Sequence, residues 1–206
     1  MTRPPTAPPP LDPHAALFID VDGTLLEIAP RPELVEVAPS LPDLLRRLGD
    51  EREGALALIS GRPIAELDRL FRPWRGAAAG LHGIERRRPD GSYAKGGGDA
   101  DRTAAAALDR LRPEITAVAR HWPGVFVEDK GRVIAAFMAE PPFQGRRPVY
   151  LGDDTTDEDG FAEVNRRGGV SIRIGCQSGS TAAVFGLSSV RGAREWLAGA
   201  PHLPAT

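Results

Sequence analysis

The feature that most constrains the fold of this chain is a short apolar run that ends abruptly in two acidic residues. Ala16–Ile19 is wholly apolar, and it is followed by Asp20 and, two residues later, by Asp22. Short apolar runs ended by polar residues are typical of parallel strands that are buried on both faces. Four later segments are also predicted strands, namely Ala55–Ile59, Ala77–Gly80, Val149–Leu151 and Ser171–Ile174. The sequence therefore predicts a buried, mainly parallel sheet.

Segments with helical periodicity alternate with these predicted strands. Ser40 can cap a helix that carries four leucines, with Gly49 expected just past its end. Asp157 is placed to cap another helix, which carries Phe161 and Val164. Further helices are predicted around residues 64–70, 133–138 and 190–197. This alternation predicts an α/β fold with a doubly wound parallel sheet of the Rossmann-like kind.

The middle of the chain breaks the alternation. Residues 86–91 have the composition of a polar turn, and residues 101–121 have a helical spacing that Pro113 interrupts. We therefore expect residues 85–129 to form a small α/β insert. The core is expected to comprise residues 15–84 and 130–200. Residues 1–14 are expected to form a disordered, proline-rich tail.

The composition of the chain indicates which partners it binds and which cellular compartment it occupies. The 206 residues include 26 Lys and Arg against 28 Asp and Glu, so the net charge of -2 favours neither a nucleic acid nor an anionic membrane. Cys176 is the only cysteine, which excludes an intramolecular disulfide and fits a reducing compartment. No apolar run approaches the roughly 20 residues of a transmembrane helix. We expect a cytoplasmic protein that acts on a small molecule, and its oligomeric state stays open.

Asp20 and Asp22 are the strongest candidates for chemistry. Both follow a predicted strand, and the carboxyl ends of such strands face the crevice where α/β sheets bind ligands. Two carboxylates so close together repel each other unless a cation or a shared proton is present. A helix cap or a solvated turn is the simpler explanation of a bare Asp-x-Asp. An apolar run followed by Asp-x-Asp-Gly-Thr-Leu favours a site, in which Gly23 permits the tight turn.

A second acidic segment, Gly152-Asp153-Asp154-Thr155-Thr156-Asp157, also follows a predicted strand. Its carboxylates are hard oxygen ligands of the kind that suits Mg²⁺. Asp153 stands at the strand end and is the expected metal ligand. Asp157 is expected to act mainly as a helix cap.

Two weaker signals lie between the acidic segments. Ser60 ends a predicted strand and precedes Gly61, so its hydroxyl and nearby N–H groups can approach an anion. Lys130 precedes a glycine and a predicted helix, where a surface lysine is the ordinary explanation. By itself, neither residue indicates a site.

Together these residues resemble the haloacid dehalogenase (HAD) superfamily. The shared elements are Asp20-x-Asp22-Gly23-Thr24, Ser60, Lys130 and Gly152-Asp153-Asp154-x-x-Asp157, in that order. More closely, the chain is similar to the trehalose-6-phosphate phosphatase family. The segments that carry this similarity are Leu58–Arg62, Gly80-Leu81-His82-Gly83-x-Glu85, Val127–Gly131, Pro142–Val149 and Asp157–Phe161. The similarity extends over nearly all of residues 15–197.

The resemblance implies a Mg²⁺-dependent phosphatase of trehalose biosynthesis that acts on a sugar phosphate. Asp20 would attack phosphorus, and Asp22 would protonate the departing sugar oxygen and then deprotonate the hydrolytic water. Ser60 and Lys130 would hold the phosphoryl oxygens. The implied metal ligands are Asp20, the backbone carbonyl of Asp22, Asp153 and Asp154. The implied substrate-binding residues are Arg62, His82, Glu85 and Glu128.

The insert is shorter than the family pattern, in which an α/β cap with several strands covers the core. The family has one Asp-Lys-Gly segment in the cap and a second at the start of a core helix, whereas this chain has only Asp129-Lys130-Gly131. We assign Lys130 to the core role, because the helix after it is fixed in register. The leading prediction is a sugar-phosphate phosphatase that acts on trehalose 6-phosphate, and the shortened insert predicts a low preference for it over other hexose phosphates. The alternatives are a phosphatase of another sugar phosphate or of phosphoglycerate, and an inactive binding or regulatory protein.

Overall fold

The computed structural model describes residues 6–29, 31, 34–94, 130–175 and 180–199. The strands in these ranges are β1 (Ala16–Asp20), β2 (Leu56–Ile59), β3 (Ala77–Gly80), β4 (Glu85–Arg87), β5 (Pro148–Gly152), β6 (Val170–Ile174) and β7 (Phe185–Leu187). They form one sheet in the order β4-β3-β2-β1-β5-β6-β7. All neighbours are parallel except β3 and β4, which are antiparallel. The predicted α/β fold with a doubly wound sheet is confirmed.

Helices cover both faces of this sheet. They are α1 (Leu41–Glu51), α2 (Ile64–Leu70), α3 (Lys130–Met138), α4 (Glu158–Arg166) and α5 (Val190–Leu197). Two 3₁₀ turns, Leu81–Gly83 and Thr155–Asp157, follow β3 and β5. The N-cap position of α1 is Ser40 as expected, although its side chain makes no capping bond and the helix continues beyond Gly49.

Alternate side chains of the central strand belong to two different hydrophobic cores. Leu17 and Ile19 of β1 pack with buried residues of α1, α2 and α5. Ala16 and Phe18 pack on the other face with buried residues of α3 and α4. Because side chains alternate across a strand, burial on both faces explains why the strands read as continuous apolar runs.

Strand β4 lies where a polar turn and the start of the insert were expected. Arg87 is 2% exposed and donates to the Gly76 carbonyl and to Asp68. Arg86 pairs with Glu140 at 3.0 Å. The prediction of a turn is wrong for these two arginines. Asp68 and Glu140 balance their charges and so allow them to lie in a strand. Residues 95–129 of the expected insert lie outside the described part of the chain.

Residues 6–13, which were expected in a disordered tail, lie against the core. The backbone N–H of Gly186 donates to the Thr6 carbonyl. The indole N–H of Trp196 donates to the Pro9 carbonyl at 3.0 Å, and Leu11 packs against the first core. Residues 1–5 are outside the described ranges. Among the described helices, none is both long and apolar enough to cross a bilayer.

Candidate active site

The strand order reverses between β1 and β5, and the candidate residues meet at that point. The chain proceeds from β1 through β2 to β3 on one side, and from β5 through β6 to β7 on the other. Such a switch point opens a crevice at the carboxyl ends of the strands. Asp20, the last residue of β1, is paired with Ile59, so Ser60 follows beside it. Asp153 follows the last residue of β5 at the same edge.

Lys130, at the start of α3, is buried in this crevice with 4% of its surface exposed. Its Nζ lies 2.9 Å from Asp20 Oδ1 and 2.7 Å from Asp157 Oδ1. The apolar side of α3 packs on the sheet through Ile134 and Phe137, which holds the lysine at the strand ends. The predicted contact between Lys130 and Asp20 is confirmed. The catalytic role of the lysine stays a prediction.

Asp157 is fully buried and joins several parts of the site. Its carboxylate accepts hydrogen bonds from Lys130, from the hydroxyl of Tyr150, and from the backbone N–H groups of Asp153 at 2.9 Å and Asp154 at 3.0 Å. It makes no side-chain capping bond to α4. The prediction that Asp157 mainly caps this helix is wrong, because its carboxylate points inward and accepts from Lys130 and from the backbone N–H groups of Asp153 and Asp154.

Three buried carboxylates stand close together with one lysine. Asp20, Asp153 and Asp157 each bring one oxygen within 4.8 Å of the others. Burial raises the pKa of Asp20 well above its ordinary value, against the opposing charge of Lys130. Burial, together with the negative charges of Asp157 and Asp154, raises the pKa of Asp153 to about 6. One lysine therefore does not balance the negative charge of three ionised carboxylates in this cluster.

The cluster fits a divalent cation with hard oxygen ligands. Asp20 Oδ2 is buried and has no hydrogen-bond partner in the described ranges. Both oxygens of Asp157 already accept hydrogen bonds, so Asp20 and Asp153 are the carboxylates that can hold a metal. The exposed side chain of Asp154 accepts from the Thr155 N–H instead and is not part of the cluster. The structure thus separates Asp154 from the other implied ligands.

Arg62 contacts both Asp22 and Ser60. The guanidinium group donates to both carboxylate oxygens of Asp22, each at 2.7 Å. Ser60 is 2% exposed, and its hydroxyl oxygen accepts from the backbone N–H of Arg62 at 3.1 Å. Because the hydroxyl acts as an acceptor here, it keeps its hydrogen for donation to an anion.

The other three implied substrate-binding residues are Glu85, His82 and Glu128. Glu85 accepts from the N–H of Ile64 at 2.8 Å and so supports the start of α2. His82 lies in the 3₁₀ turn that follows β3. Glu128 lies outside the described residues. The predicted sugar contacts of these three residues therefore stay predictions.

Comparison with known proteins assigns the family. A family model described as "Trehalose-phosphatase" matches residues 18–137 and 125–191. The chain belongs to the trehalose-phosphatase family. The two matched segments share residues 125–137, so this stretch corresponds to two parts of the family pattern. The overlap contains the single Asp-Lys-Gly segment that the sequence singled out.

Two curated relatives illustrate the membership of this trehalose-phosphatase chain. A "Probable trehalose-phosphate phosphatase" of Sinorhizobium fredii is 38% identical over 211 residues, which cover 78% of this chain and 77% of the relative. The "Trehalose-6-phosphate phosphatase" of Escherichia coli is 38% identical over 242 residues, which cover 96% and 90%. These names describe phosphoric monoester hydrolases. Because 242 aligned positions exceed the 206 residues here, the E. coli protein has segments that this chain lacks.

Solved structures share the fold of this trehalose-phosphatase family member. The trehalose-6-phosphate phosphatase of Aspergillus fumigatus has a TM-score of 0.65 at 20% identity, covering 93% of this chain and 98% of that one. A HAD-superfamily phosphatase of Bacteroides thetaiotaomicron has a TM-score of 0.56 at 16% identity, covering 89% and 93%. At these identities the likeness shows a shared fold and nothing more.

Tyr150 is a residue of the trehalose-phosphatase site that the sequence analysis did not single out. Its hydroxyl donates to Asp157, and its ring packs on Phe161 with centroids 5.4 Å apart. A Cβ on Gly160 would lie 2.5 Å from this ring, so the glycine makes room for it. The sequence does contain a signal for it, which is a tyrosine inside a predicted buried strand. A buried phenol requires a hydrogen-bond partner, so a polar group is expected near it.

Gly23 allows the turn after β1 to approach Asp153 in the turn after β5, and substitution tests this. A Cβ at Gly23 would lie 2.0 Å from Asp153 Oδ2, in a backbone with φ +82°. Gly91 has the same φ but open space around it. We expect Gly91→Ala to lower the free energy of unfolding by only about 1–2 kcal/mol, the cost of left-handed backbone. Gly23→Ala should cost about 2–5 kcal/mol and weaken Mg²⁺ binding, because the clash with Asp153 adds to that strain.

Denaturant unfolding of both glycine variants, followed by Mg²⁺ titration of their thermal stability, measures this difference. Equal losses for Gly23→Ala and Gly91→Ala, with unchanged Mg²⁺ binding, would mean that the two loops do not require their close approach.

Asp153 should make the metal-free protein less stable as pH rises. Its pKa is raised from 3.8 to about 6 in the folded state, so the folded chain binds a proton more tightly than the unfolded chain does. Stability therefore falls between about pH 4 and pH 6, and the full cost of ionisation is present above that window. The difference between a pKa of 3.8 and one of about 6 corresponds to at most about 3 kcal/mol, which solvent screening lowers for a partly hydrated carboxyl.

The neutral variant Asp153→Asn removes this cost. In the presence of a chelator, we expect Asp153→Asn to be more stable than the wild type at pH 8 by up to about 3 kcal/mol. The difference should shrink towards zero at pH 4, and Mg²⁺ should stabilise the wild type only. Urea unfolding at both pH values measures it; a wild type that matches or exceeds the variant at pH 8 without metal would contradict the raised pKa.

Proposed function

We propose that this protein is a Mg²⁺-dependent phosphatase that hydrolyses a sugar phosphate, with trehalose 6-phosphate as the leading candidate, through an aspartyl-phosphate on Asp20. The observation that carries the proposal is the state of that carboxylate. One of its oxygens is held by Lys130 at 2.9 Å, and the other is buried without a partner among the described residues. A carboxylate placed in this way at a switch point can bind a cation and present an oxygen to phosphorus.

The first half-reaction transfers the phosphoryl group to the protein. An oxygen of Asp20 forms a bond to phosphorus while the bond from phosphorus to the sugar oxygen breaks. Asp22 gives its proton to that departing oxygen, so the sugar leaves as a neutral alcohol. Asp22 stands two residues after the nucleophile and stays 38% exposed towards solvent, as an acid that meets a substrate must.

The second half-reaction restores the carboxylate. Asp22, now ionised, takes a proton from water as the water oxygen bonds to phosphorus. The bond between phosphorus and Asp20 breaks, and inorganic phosphate departs. The same carboxylate thus serves first as acid and then as base, which leaves the protein unchanged after one turnover.

Ser60 and Lys130 are proposed to hold the phosphoryl oxygens. The lysine Nζ is charged and already directed at Asp20, and the serine hydroxyl retains its hydrogen for donation. Mg²⁺, held by Asp20, Asp153 and the backbone carbonyl of Asp22, would supply charge neutralisation at the phosphoryl group. The pairing of a raised pKa at Asp153 with an unpartnered Asp20 oxygen supports this metal.

The shortened insert is proposed to lower substrate discrimination. Both curated relatives described above carry trehalose phosphate in their names, which supports that substrate here. The E. coli alignment is longer than this chain, and residues 125–137 match the family pattern twice, which supports the loss of part of the cap. Groups that bind only phosphate stabilise all phosphate esters alike, so they cannot separate one sugar from another.

A panel of substrates tests the proposed function. We expect Mg²⁺-dependent phosphate release from trehalose 6-phosphate, with kcat/KM no more than about tenfold above that for glucose 6-phosphate. Phosphoglycerate is included because it is the substrate of the alternative phosphatase. No phosphate release from any ester in the panel would sink the proposed function and favour the inactive binding protein. A preference for trehalose 6-phosphate above a hundredfold would contradict the loss of discrimination alone.

A further inference from the structure

Arg62 is implied by the family resemblance as a substrate-binding residue, yet its donors face the protein. Nε and Nη2 donate to the two oxygens of Asp22, each at 2.7 Å, and Nη1 donates to Glu66. The Arg62 side chain is 12% exposed, against 38% for Asp22. Three of the five N–H groups of the guanidinium are thus engaged by two carboxylates, and Asp22 is more exposed than Arg62.

The backbone of Arg62 is fixed from several sides. Its N–H donates to the hydroxyl of Ser60, and its carbonyl accepts from the N–H of Leu81 at 3.1 Å. A Cβ on Gly80 would lie 2.7 Å from that carbonyl oxygen, so the neighbouring strand approaches closely. Glu66, in the first turn of α2, accepts a hydrogen bond from the end of the Arg62 side chain. Arg62 is therefore held in place before any substrate arrives.

A bidentate arginine fixes a carboxylate and leaves part of it accessible. A carboxylate has two lone-pair sites on each oxygen, and Arg62 uses one on each oxygen of Asp22. The other site on each oxygen stays available for a further hydrogen bond, and the Asp22 side chain is 38% exposed. The planar fork of Arg62 fixes the plane of the carboxylate, and a lysine amine has no such fork.

We propose that Arg62 is a positioning residue that orients Asp22 for proton transfer to the leaving oxygen, and that it does not bind the sugar. The inference rests on the proposed phosphatase function. It predicts that loss of the bidentate pair lowers kcat/KM most for the esters whose leaving oxygen most needs a proton. A sugar-binding arginine would instead affect sugar phosphates and leave sugar-free esters untouched.

Arg62→Lys tests the proposal on sugar-free substrates. A series of substituted phenyl phosphates, from 4-nitrophenyl to unsubstituted phenyl, varies the need for a proton without any sugar contact. The value of kcat/KM reports the steps up to phosphoryl transfer to Asp20, so the later hydrolysis does not enter. We expect the ratio of kcat/KM for 4-nitrophenyl to that for phenyl phosphate to rise about tenfold or more in Arg62→Lys, within the range of general acid catalysis.

Two further variants keep the result interpretable. Arg69→Lys is the matched control, because Arg69 lies on α2 together with Glu66, is 75% exposed and contacts Glu66 rather than Asp22. It should leave the ratio unchanged. Asp22→Asn should raise the ratio at least as much as Arg62→Lys does, and adding Arg62→Lys to Asp22→Asn should change it no further. Circular dichroism and thermal unfolding establish that each variant is folded.

The outcomes separate the positioning role from the function on which it rests. An unchanged ratio in a folded Arg62→Lys, with a raised KM for sugar phosphates only, would overturn the positioning role and restore the sugar-binding one. An additional loss on top of Asp22→Asn would also overturn it, because Arg62 would then act by a separate route. If the wild-type protein cleaves none of the esters, the proposed phosphatase function itself is contradicted.

Discussion

Asp20→Asn is expected to lower phosphate release by roughly three orders of magnitude or more, as removal of a catalytic nucleophile does elsewhere. An amide cannot form the acyl-phosphate and is a poor ligand for Mg²⁺. The fold should survive, because the amide oxygen can still accept from Lys130 Nζ. The variant also removes a buried carboxyl whose pKa is raised by burial, so the metal-free protein should be at least as stable as the wild type.

Phosphate release from 4-nitrophenyl phosphate, with and without Mg²⁺, measures this loss. Thermal unfolding of Asp20→Asn provides the control for folding. Activity above a tenth of the wild-type rate, a barrier change under about 1.4 kcal/mol, would show that Asp20 is not the nucleophile.

Asp157→Ala is expected to be the most destabilising single change in the site, at about 3–5 kcal/mol, and to abolish activity. Four donors lose one charged acceptor at once: the Lys130 amine, the Tyr150 hydroxyl and the backbone N–H groups of Asp153 and Asp154. These donors are largely buried, so each lost hydrogen bond is costly, although Lys130 keeps its contact with Asp20. The sequence alone predicts a loss of only about 1 kcal/mol here, the value of a helix cap.

Asp154→Ala is the matched control in the same loop. Its exposed carboxylate accepts mainly from Thr155, so its loss should cost about 1 kcal/mol. Urea unfolding of the two variants compares the costs directly. A larger loss for Asp154→Ala than for Asp157→Ala would contradict the central position of Asp157 and return Asp154 to the metal site.

The sheet and the strand-end residues are predictable because they depend on local patterns. Four of the seven described strands read as short apolar runs, and β6 alternates between apolar and polar residues. Polar residues at the strand ends fall at one edge of a parallel sheet. The sequence pattern is therefore enough to bring Asp20, Ser60 and Asp153 together. The contact between Lys130 and Asp20 follows from family order rather than from periodicity, since a lone lysine carries no signal of burial.

Features that the sequence does not predict depend on partners that are distant along the chain. Arg87 reads as part of a solvated charge run, and only Asp68 and the Gly76 carbonyl make its burial possible. Asp157 has the sequence position of a helix cap, and its inward direction follows from Lys130, which lies 27 residues away. The pairing of Arg62 with Asp22 across 40 residues likewise has no local signature.

Chemical trapping of the phosphorylated aspartate tests the proposed mechanism most directly. Turnover of trehalose 6-phosphate in Mg²⁺ is stopped with acid, the protein is reduced with borohydride, and the peptide that contains residue 20 is sequenced by mass spectrometry. Borohydride converts an acyl-phosphate of aspartate to homoserine and leaves a free carboxylate unchanged. We expect homoserine at position 20 with substrate present, and none without substrate or in Asp20→Asn. Phosphate release at the wild-type rate with an unmodified Asp20, or with homoserine at another aspartate, would contradict the assignment of Asp20 as the nucleophile.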